Sequence, residues 1–232
     1  CEGLVMLGDT RTNAGLDNIA TFRKLTVLER PGERVMMLAT AGNLSISQSV
    51  MSLLTEGIES EAGTRRTLMD VESMFEAAGL VGEAIRKVYA TYGPALQQQS
   101  MSFDVTFLIG GQIKGRRLRL FQVYAAGNFI EATQDTPYFQ IGEHKYGKPI
   151  LDRSISYDVE LLDALKLALI SMDSTLRSNL SVGLPVDVAA CRTDELKAAV
   201  SYRIEPDEPY FRDLRDRWSQ ALDARFADLF ET

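Results

Sequence analysis

Asp9, Lys24 and Gly42 are the residues whose types and spacing could do chemistry in this sequence. The apolar run Gly3-Leu4-Val5-Met6-Leu7 ends on Gly8-Asp9, and the turn-prone segment Thr10-Arg11-Thr12-Asn13-Ala14-Gly15 follows. Phe22-Arg23-Lys24 then leads into further apolar sequence, which stops at Ala41-Gly42-Asn43. The pattern reads as strand, loop, strand, strand, with a carboxylate, an ammonium and a glycine amide delivered at strand ends. Amide hydrolysis by a hydroxyl or thiol needs a base for its proton, charges that set the local field, and an N–H for the developing oxyanion. His144 is the only histidine. A Ser-His-Asp or Cys-His arrangement would have to pass through that one ring, so the base is sought elsewhere.

The elements that must position these groups follow from periodicity. Leu25–Glu29 and Arg34–Thr40 read as strands around the turn Arg30-Pro31-Gly32-Glu33. Val35-Met36-Met37-Leu38 is apolar at consecutive positions, as in a strand covered on both faces. Ile46, Val50, Leu53, Leu54 and Ile58 form a helical stripe. A second helix is expected over Leu68–Tyr92, with a possible break at Gly79 and Gly82 and an end at Gly93-Pro94. Met101–Ile109 and Arg117–Tyr124 read as a hairpin linked through Gly110–Gly115, followed by short strands at Phe129–Thr133 and Tyr138–Ile141. A short helix interrupted by Pro149 is expected over Lys145–Arg153, and a long one from Leu161 to Met172. Strands at Val186–Arg192 and Ala198–Ile204 and a helix carrying Phe211, Leu214, Trp218, Leu222 and Leu229 complete the chain. Helices grouped between sets of strands argue against a doubly wound parallel sheet and suit an α+β fold, a four-layer αββα sandwich. No linker, repeat or low-complexity tract divides the 232 residues, so residues 1–232 are read as one domain.

Composition narrows the function classes. Hydrophobic residues make up 45% and charged residues 25%, as in a globular protein with a substantial core. A net charge of −7 argues against nucleic acid or an anionic membrane as partner. No apolar run approaches a membrane span, and no signal peptide is visible. Cys1 and Cys191 are the only cysteines, which leaves neither a disulfide framework nor zinc-ligand spacing. The expectation is a cytoplasmic protein without a cofactor.

Gly8-Asp9-Thr10-Arg11-Thr12-Asn13-Ala14-Gly15, Thr21-Phe22-Arg23-Lys24, Ala41-Gly42-Asn43-Leu44 and the run Ser171–Pro185 together resemble the proteasome branch of the N-terminal-nucleophile hydrolases. Within it the resemblance is to the bacterial Anbu, or ancestral beta subunit, group, and it extends over essentially the whole chain. It implies the αββα sandwich and a threonine-type peptidase whose nucleophile is the N-terminal threonine and whose base is the free α-amino group. By resemblance Asp9 holds the lysine and the chain start, Lys24 lowers the nucleophile's pKa, and Gly42 offers its amide to the oxyanion. The family places the lysine one position later relative to the aspartate, which leaves Arg23 as well as Lys24 a candidate for the inward cation. Asp173, read as following the long helix, matches a second aspartate that supports the amino terminus through a neighbouring serine, here Ser178 or Ser181. Glu143 stands where such subunits carry a serine in a small turn, beside His144.

One departure concerns the nucleophile, since only eight residues precede Asp9 and the first is Cys1. In the family the threonine lies further upstream, so Cys1 is read as part of the first strand and the threonine as absent from this sequence. Cys1 itself as N-terminal nucleophile is the rival, disfavoured because the spacing to Asp9 is too short for a two-stranded hairpin. The resemblance further implies a peptide or protein substrate and a homo-oligomer, ring or spiral, with the long helices forming contacts. A ring ATPase is a possible partner in such assemblies, although no docking element for one is visible. An amidohydrolase of the same superfamily and a catalytically silent scaffold are the alternatives.

Overall fold

The structure, a computed structural model, describes residues 2–13, 19–59 and 63–230. Cys1 and the Ala14-Gly15 end of the first motif lie outside the described residues. In chain order the elements are β1 (Gly3–Asp9), β2 (Arg11–Asn13), β3 (Ile19–Thr21), β4 (Leu25–Arg30), β5 (Arg34–Gly42), α1 (Leu44–Glu56), β6 (Ile58–Glu59), β7 (Arg65–Arg66) and α2 (Met74–Gln98). There follow β8 (Val105–Ile113), β9 (Arg119–Val123), β10 (Phe129–Glu131), α3 (Lys148–Ser154), α4 (Leu161–Ser178), β11 (Val186–Arg192), β12 (Ala198–Ile204) and α5 (Pro209–Phe230).

Two antiparallel sheets face each other. One has the order β10-β9-β8-β5-β4 and the other β1-β11-β12. Strand β5 shows why its apolar residues run consecutively. Val35, Met37 and Ala39 enter the core between the sheets, with Met6, Leu108 and Ala189, whereas Met36 and Leu38 enter the core under α1 and α2. Strand periodicity sends alternate side chains to opposite faces, so a strand covered twice is apolar throughout. A third core, with Leu169, Val186, Val188, Ile204 and Phe211, joins the smaller sheet to α4 and α5. Helices, sheet, sheet and helices make the α+β, four-layer αββα sandwich.

Several boundaries differ from those expected. Helix α2 starts at Met74, where Ser73 accepts from the Glu76 amide as N-cap, and runs unbroken to Gln98 with Pro94 inside its exposed last turns. Gly79, Gly82 and Gly93 therefore neither break nor end it. Gly110-Gly111 lie within β8 instead of in the hairpin turn: Gly111 has φ +150°, and a Cβ there would collide with the Val35 carbonyl oxygen. The close approach of β5 selects glycine at that point, and the turn moves to residues 114–118. Tyr138–Ile141 forms no strand. Pro149 opens α3 at its first turn, where its missing N–H is harmless, and does not interrupt it. Helix α4 continues to Ser178, so Asp173 lies inside it and does not follow it. No described helix is long and apolar enough to cross a membrane.

Candidate functional site

The site is built by three chain segments that meet at the end of β1. Asp9 is the last residue of β1, and its register partner on β11 is Val186. Residues 179–185, which lead into β11, must therefore drop over the Asp9 carboxylate. The short β2–β3 pair, with Arg11 opposite Thr21, folds the chain back so that the Phe22 amide donates to the Thr10 carbonyl at 2.8 Å. That return sets Lys24 beside Asp9. The end of β5 lies alongside, since the Thr40 amide donates to the Lys24 carbonyl at 3.1 Å.

Asp9 is saturated with donors. Its Oδ1 accepts from Lys24 Nζ at 2.8 Å, and its Oδ2 accepts from the Arg11 amide at 3.1 Å and the Gly183 amide at 3.3 Å. Lys24 also donates to the Arg11 carbonyl at 2.6 Å, which uses two of its three N–H donors. The pair is mostly withdrawn from solvent, with side chains 20% and 13% exposed for Lys24 and Asp9. Arg23, by contrast, is 64% exposed and reaches Asp187 at 3.7 Å, so Lys24 is the inward cation. Thr10 is fully buried and donates to the Pro185 carbonyl at 2.7 Å. Arg11 Nη1 donates to the Leu180 carbonyl at 2.9 Å.

Gly42 closes β5 with φ +105°, and a Cβ on it would meet the Asp104 carbonyl oxygen at 2.5 Å. Both facts demand glycine. Asp9, Lys24, Gly42 and Ser181 all line one cavity of ≈ 1520 Å³, which runs along the whole of β1. β1 pairs with β11 on one side, and among the described residues no strand pairs with its other edge.

The remaining sequence candidates separate. Asp173 is buried, its side chain 3% exposed, on the face of α4 turned to α5, where it pairs with Arg177 at 3.0 Å and with Arg215. It lines a small cleft with Phe211, Leu214 and Trp218 and not the large cavity. A buried carboxylate between two guanidinium groups is a helix–helix tie. Ser178, the last residue of α4, is exposed and away from the cavity wall. His144 is exposed, with Nδ1 3.2 Å from the Gly142 carbonyl of its own loop. Sequence reasoning undervalued Asn179, which caps α4 and whose Oδ1 accepts from the Ser181 amide at 2.8 Å. Glu143 Oε2 accepts from Asn179 Nδ2 at 2.7 Å, and the Lys145 amide and Asn179 hold its carboxyl below the usual range. Asn179 ends the helix in an extended conformation, with φ −136°, so no left-handed cap marked it in the sequence.

Two facing sheets between helical layers, with an acid, a lysine and a glycine gathered at one end of an edge strand, define a proteasome-like fold of the N-terminal-nucleophile type. No protein-family model matches the chain, and no curated protein does. Solved structures do. Anbu (ancestral beta-subunit) from Yersinia bercovieri is 52% identical, with 97% of this chain and 92% of that one covered and a TM-score of 0.89. An Anbu (Gly-1) mutant from Hyphomicrobium sp. strain MC1 is 50% identical, over 98% and 95% of the two chains, at a TM-score of 0.88. The helical assembly of the Anbu complex from Pseudomonas aeruginosa supplies a chain 45% identical, over 98% and 92%, at 0.89. The chain belongs to the Anbu family.

Proposed function

We propose that this chain is an N-terminal-nucleophile hydrolase that cleaves peptide bonds with an N-terminal threonine lying upstream of the residues described. The observation that carries the reading is the edge of β1. A strand laid antiparallel on that edge, joined by a turn before Gly3 and equal to β1 in length, begins opposite Asp9. Its first residue then sits beside Asp9, Lys24 and Gly42. The edge satisfies its backbone groups in the same step.

The chemistry follows from those neighbours. The threonine hydroxyl oxygen attacks the amide carbonyl carbon, and its proton passes to the free α-amino group, whose solution pKa is near 8. Lys24, fixed by Asp9 and the Arg11 carbonyl, keeps positive charge next to the forming alkoxide. The Gly42 amide faces the oxyanion, and Ser181 stands at the rim. The C–N bond breaks as the amine leaves with the proton, and water hydrolyses the ester. Asp173 takes no part, because it is engaged with α5.

The same reading includes self-assembly. Every residue of 220–230 in α5 is exposed, although Leu222, Phe226, Leu229 and Phe230 continue the stripe that Phe211 and Leu214 bury against the body. An apolar stripe open to water along a helix end marks an association surface, so a second copy of this chain is assigned to that stripe. The helical assembly of the Pseudomonas relative supports this. Intact-mass analysis of the native protein, together with covalent labelling by a threonine-directed electrophile, tests the catalytic reading. A free N-terminal threonine that labels one-to-one is expected. A blocked or extended start with no labelling leaves a silent scaffold and overturns it, and labelled protein that turns over only small amides makes it an amidohydrolase.

A further inference from the structure

The loop at residues 141–147 takes no part in the chemistry above, yet it touches both sides of the site. At its start a Cβ on Gly142 would come within 3.3 Å of Ala41 Cβ, immediately before Gly42. Ile141 packs against the core between the sheets. From that anchored position Glu143 presents its carboxylate to the cavity, with Oε1 taken by the Lys145 amide at 3.0 Å and Oε2 by Asn179 Nδ2 at 2.7 Å. The carboxamide of Asn179 is used from both ends, since its Oδ1 accepts from the Ser181 amide at 2.8 Å. Two residues on, the Gly183 amide donates to Asp9 Oδ2, and Asp9 Oδ1 holds Lys24. Lys145, Glu143, Asn179, residues 181–183, Asp9 and Lys24 thus form one chain of hydrogen bonds and peptide links.

We propose that Glu143 is a positioning residue: through Asn179 it holds residues 179–183 closed over Asp9 and fixes Ser181 at the cavity rim. Besides the Val182 amide, which donates to the Asn179 carbonyl at 3.2 Å, and the Gly183 amide on Asp9, residues 179–183 have few other holds among the described residues. Leu180 and Ser181 are exposed, and among the described residues Leu180 is held through its carbonyl, by Arg11. A carboxylate-to-amide bond is stronger than a neutral one, so it is the tie that sets which way Asn179 faces. With Asn179 so turned, its oxygen is presented to the Ser181 amide. Without it, either end of the carboxamide can face that amide, and one of the two repels it. The positioning claim stands on this geometry, and its consequence for labelling rests on the hydrolase reading above.

The arrangement permits an exchange that a merely structural role would not reward. Asn179→Asp keeps an acceptor for Ser181 but sets a second carboxylate against Glu143. Asn179→Asp combined with Glu143→Gln restores every partner, since the glutamine Oε1 accepts from Lys145 and its Nε2 donates to the new carboxylate. Hydrogen exchange of residues 179–183 is measured in the assembled protein for wild type, Glu143→Ala, Asn179→Asp and the exchanged pair. The expected result is a loss of protection at the Ser181 and Gly183 amides of about tenfold or more in both single variants and its return in the pair. The labelling rate should fall and recover in the same order. Equal protection in all four proteins, or a pair no better than Asn179→Asp, overturns the proposal. If no protein labels at all, the hydrolase reading fails, and the exchange arm still decides the positioning claim.

Discussion

Replacing Lys24 with methionine keeps most of the unbranched apolar stem and removes the terminal ammonium with its charge and donors. The variant loses the 2.8 Å bond to Asp9 and the 2.6 Å bond to the Arg11 carbonyl, while Asp9 keeps the amides of Arg11 and Gly183. Exposed ion pairs contribute at most about 1 kcal/mol, and stranding one member of a buried pair costs about 3–5. With side chains 20% and 13% exposed, and two donors left on the carboxylate, this pair falls between those limits, at about 2 kcal/mol. For a chain of this length that corresponds to a fall in Tm of about 4–8 °C. A cycle with Asp9→Asn should return a coupling of about 1 kcal/mol or more, because the two side chains touch. Labelling by a threonine-directed electrophile should drop by about 100-fold or more, the scale for removing a group aimed at developing charge. Thermal unfolding and labelling kinetics on the same preparations check both numbers. A variant that loses stability but labels at the wild-type rate reduces the pair to a structural tie. One that keeps both its Tm and its labelling refutes the geometry itself.

Gly42→Ala forces a Cβ into the Asp104 carbonyl at a φ of +105°, so it should cost about 1–3 kcal/mol by urea unfolding and slow labelling by a threonine-directed electrophile. Phe226→Asp with Phe230→Asp should leave the Tm of the protomer within about 1 °C, because both side chains are exposed, while light scattering shows a shift to smaller species. An unchanged mass distribution removes α5 from the assembly contact. Glu131 is held below its ordinary 4.5, first by its hydrogen bond to Arg119. The depressed carboxyl contributes stability that is complete above the unfolded value and is lost as pH falls through the folded one, so Glu131→Gln should lower stability at pH 7 and leave little difference in strong acid. A wild-type-to-variant gap independent of pH would contradict it.

The layers were legible in the sequence because two-sided burial leaves a mark that needs no alignment. Consecutive apolar residues at Val35–Leu38 read as a strand covered on both faces, and β5 has a core on each. Of the stripe read from Ile46 to Ile58, the part to Leu54 became α1, capped by Asn43, while Ile58 lies in β6. What misled was glycine. Gly110-Gly111 looked like a turn, but the tight approach of β5 had selected them inside a strand. Gly93-Pro94 looked like a stop, yet the end of α2 lies at the surface. A proline near a helix end removes one hydrogen bond there, and solvent can take the freed carbonyl. In both places tertiary contact decided what local propensity could not.

The same division runs through the site. Strand ends are readable, so Asp9, Lys24 and Gly42 could be named from apolar runs and the residues that stop them. The donors that fix Asp9 from the other side come from Gly183, a separation of 174 residues that no local pattern encodes. Asp173 shows the opposite case. It carries a carboxylate in the right part of the chain, but Arg177 lies one turn further along the same helix and Arg215 closes in from α5. Two guanidinium groups enclose the buried Asp173 carboxylate, whereas one lysine, two amides and an open cavity surround that of Asp9. The carboxylates are alike as residues, and their neighbours distinguish them: Asp9 is built into a polar ring that opens on space, and Asp173 into a contact that excludes it.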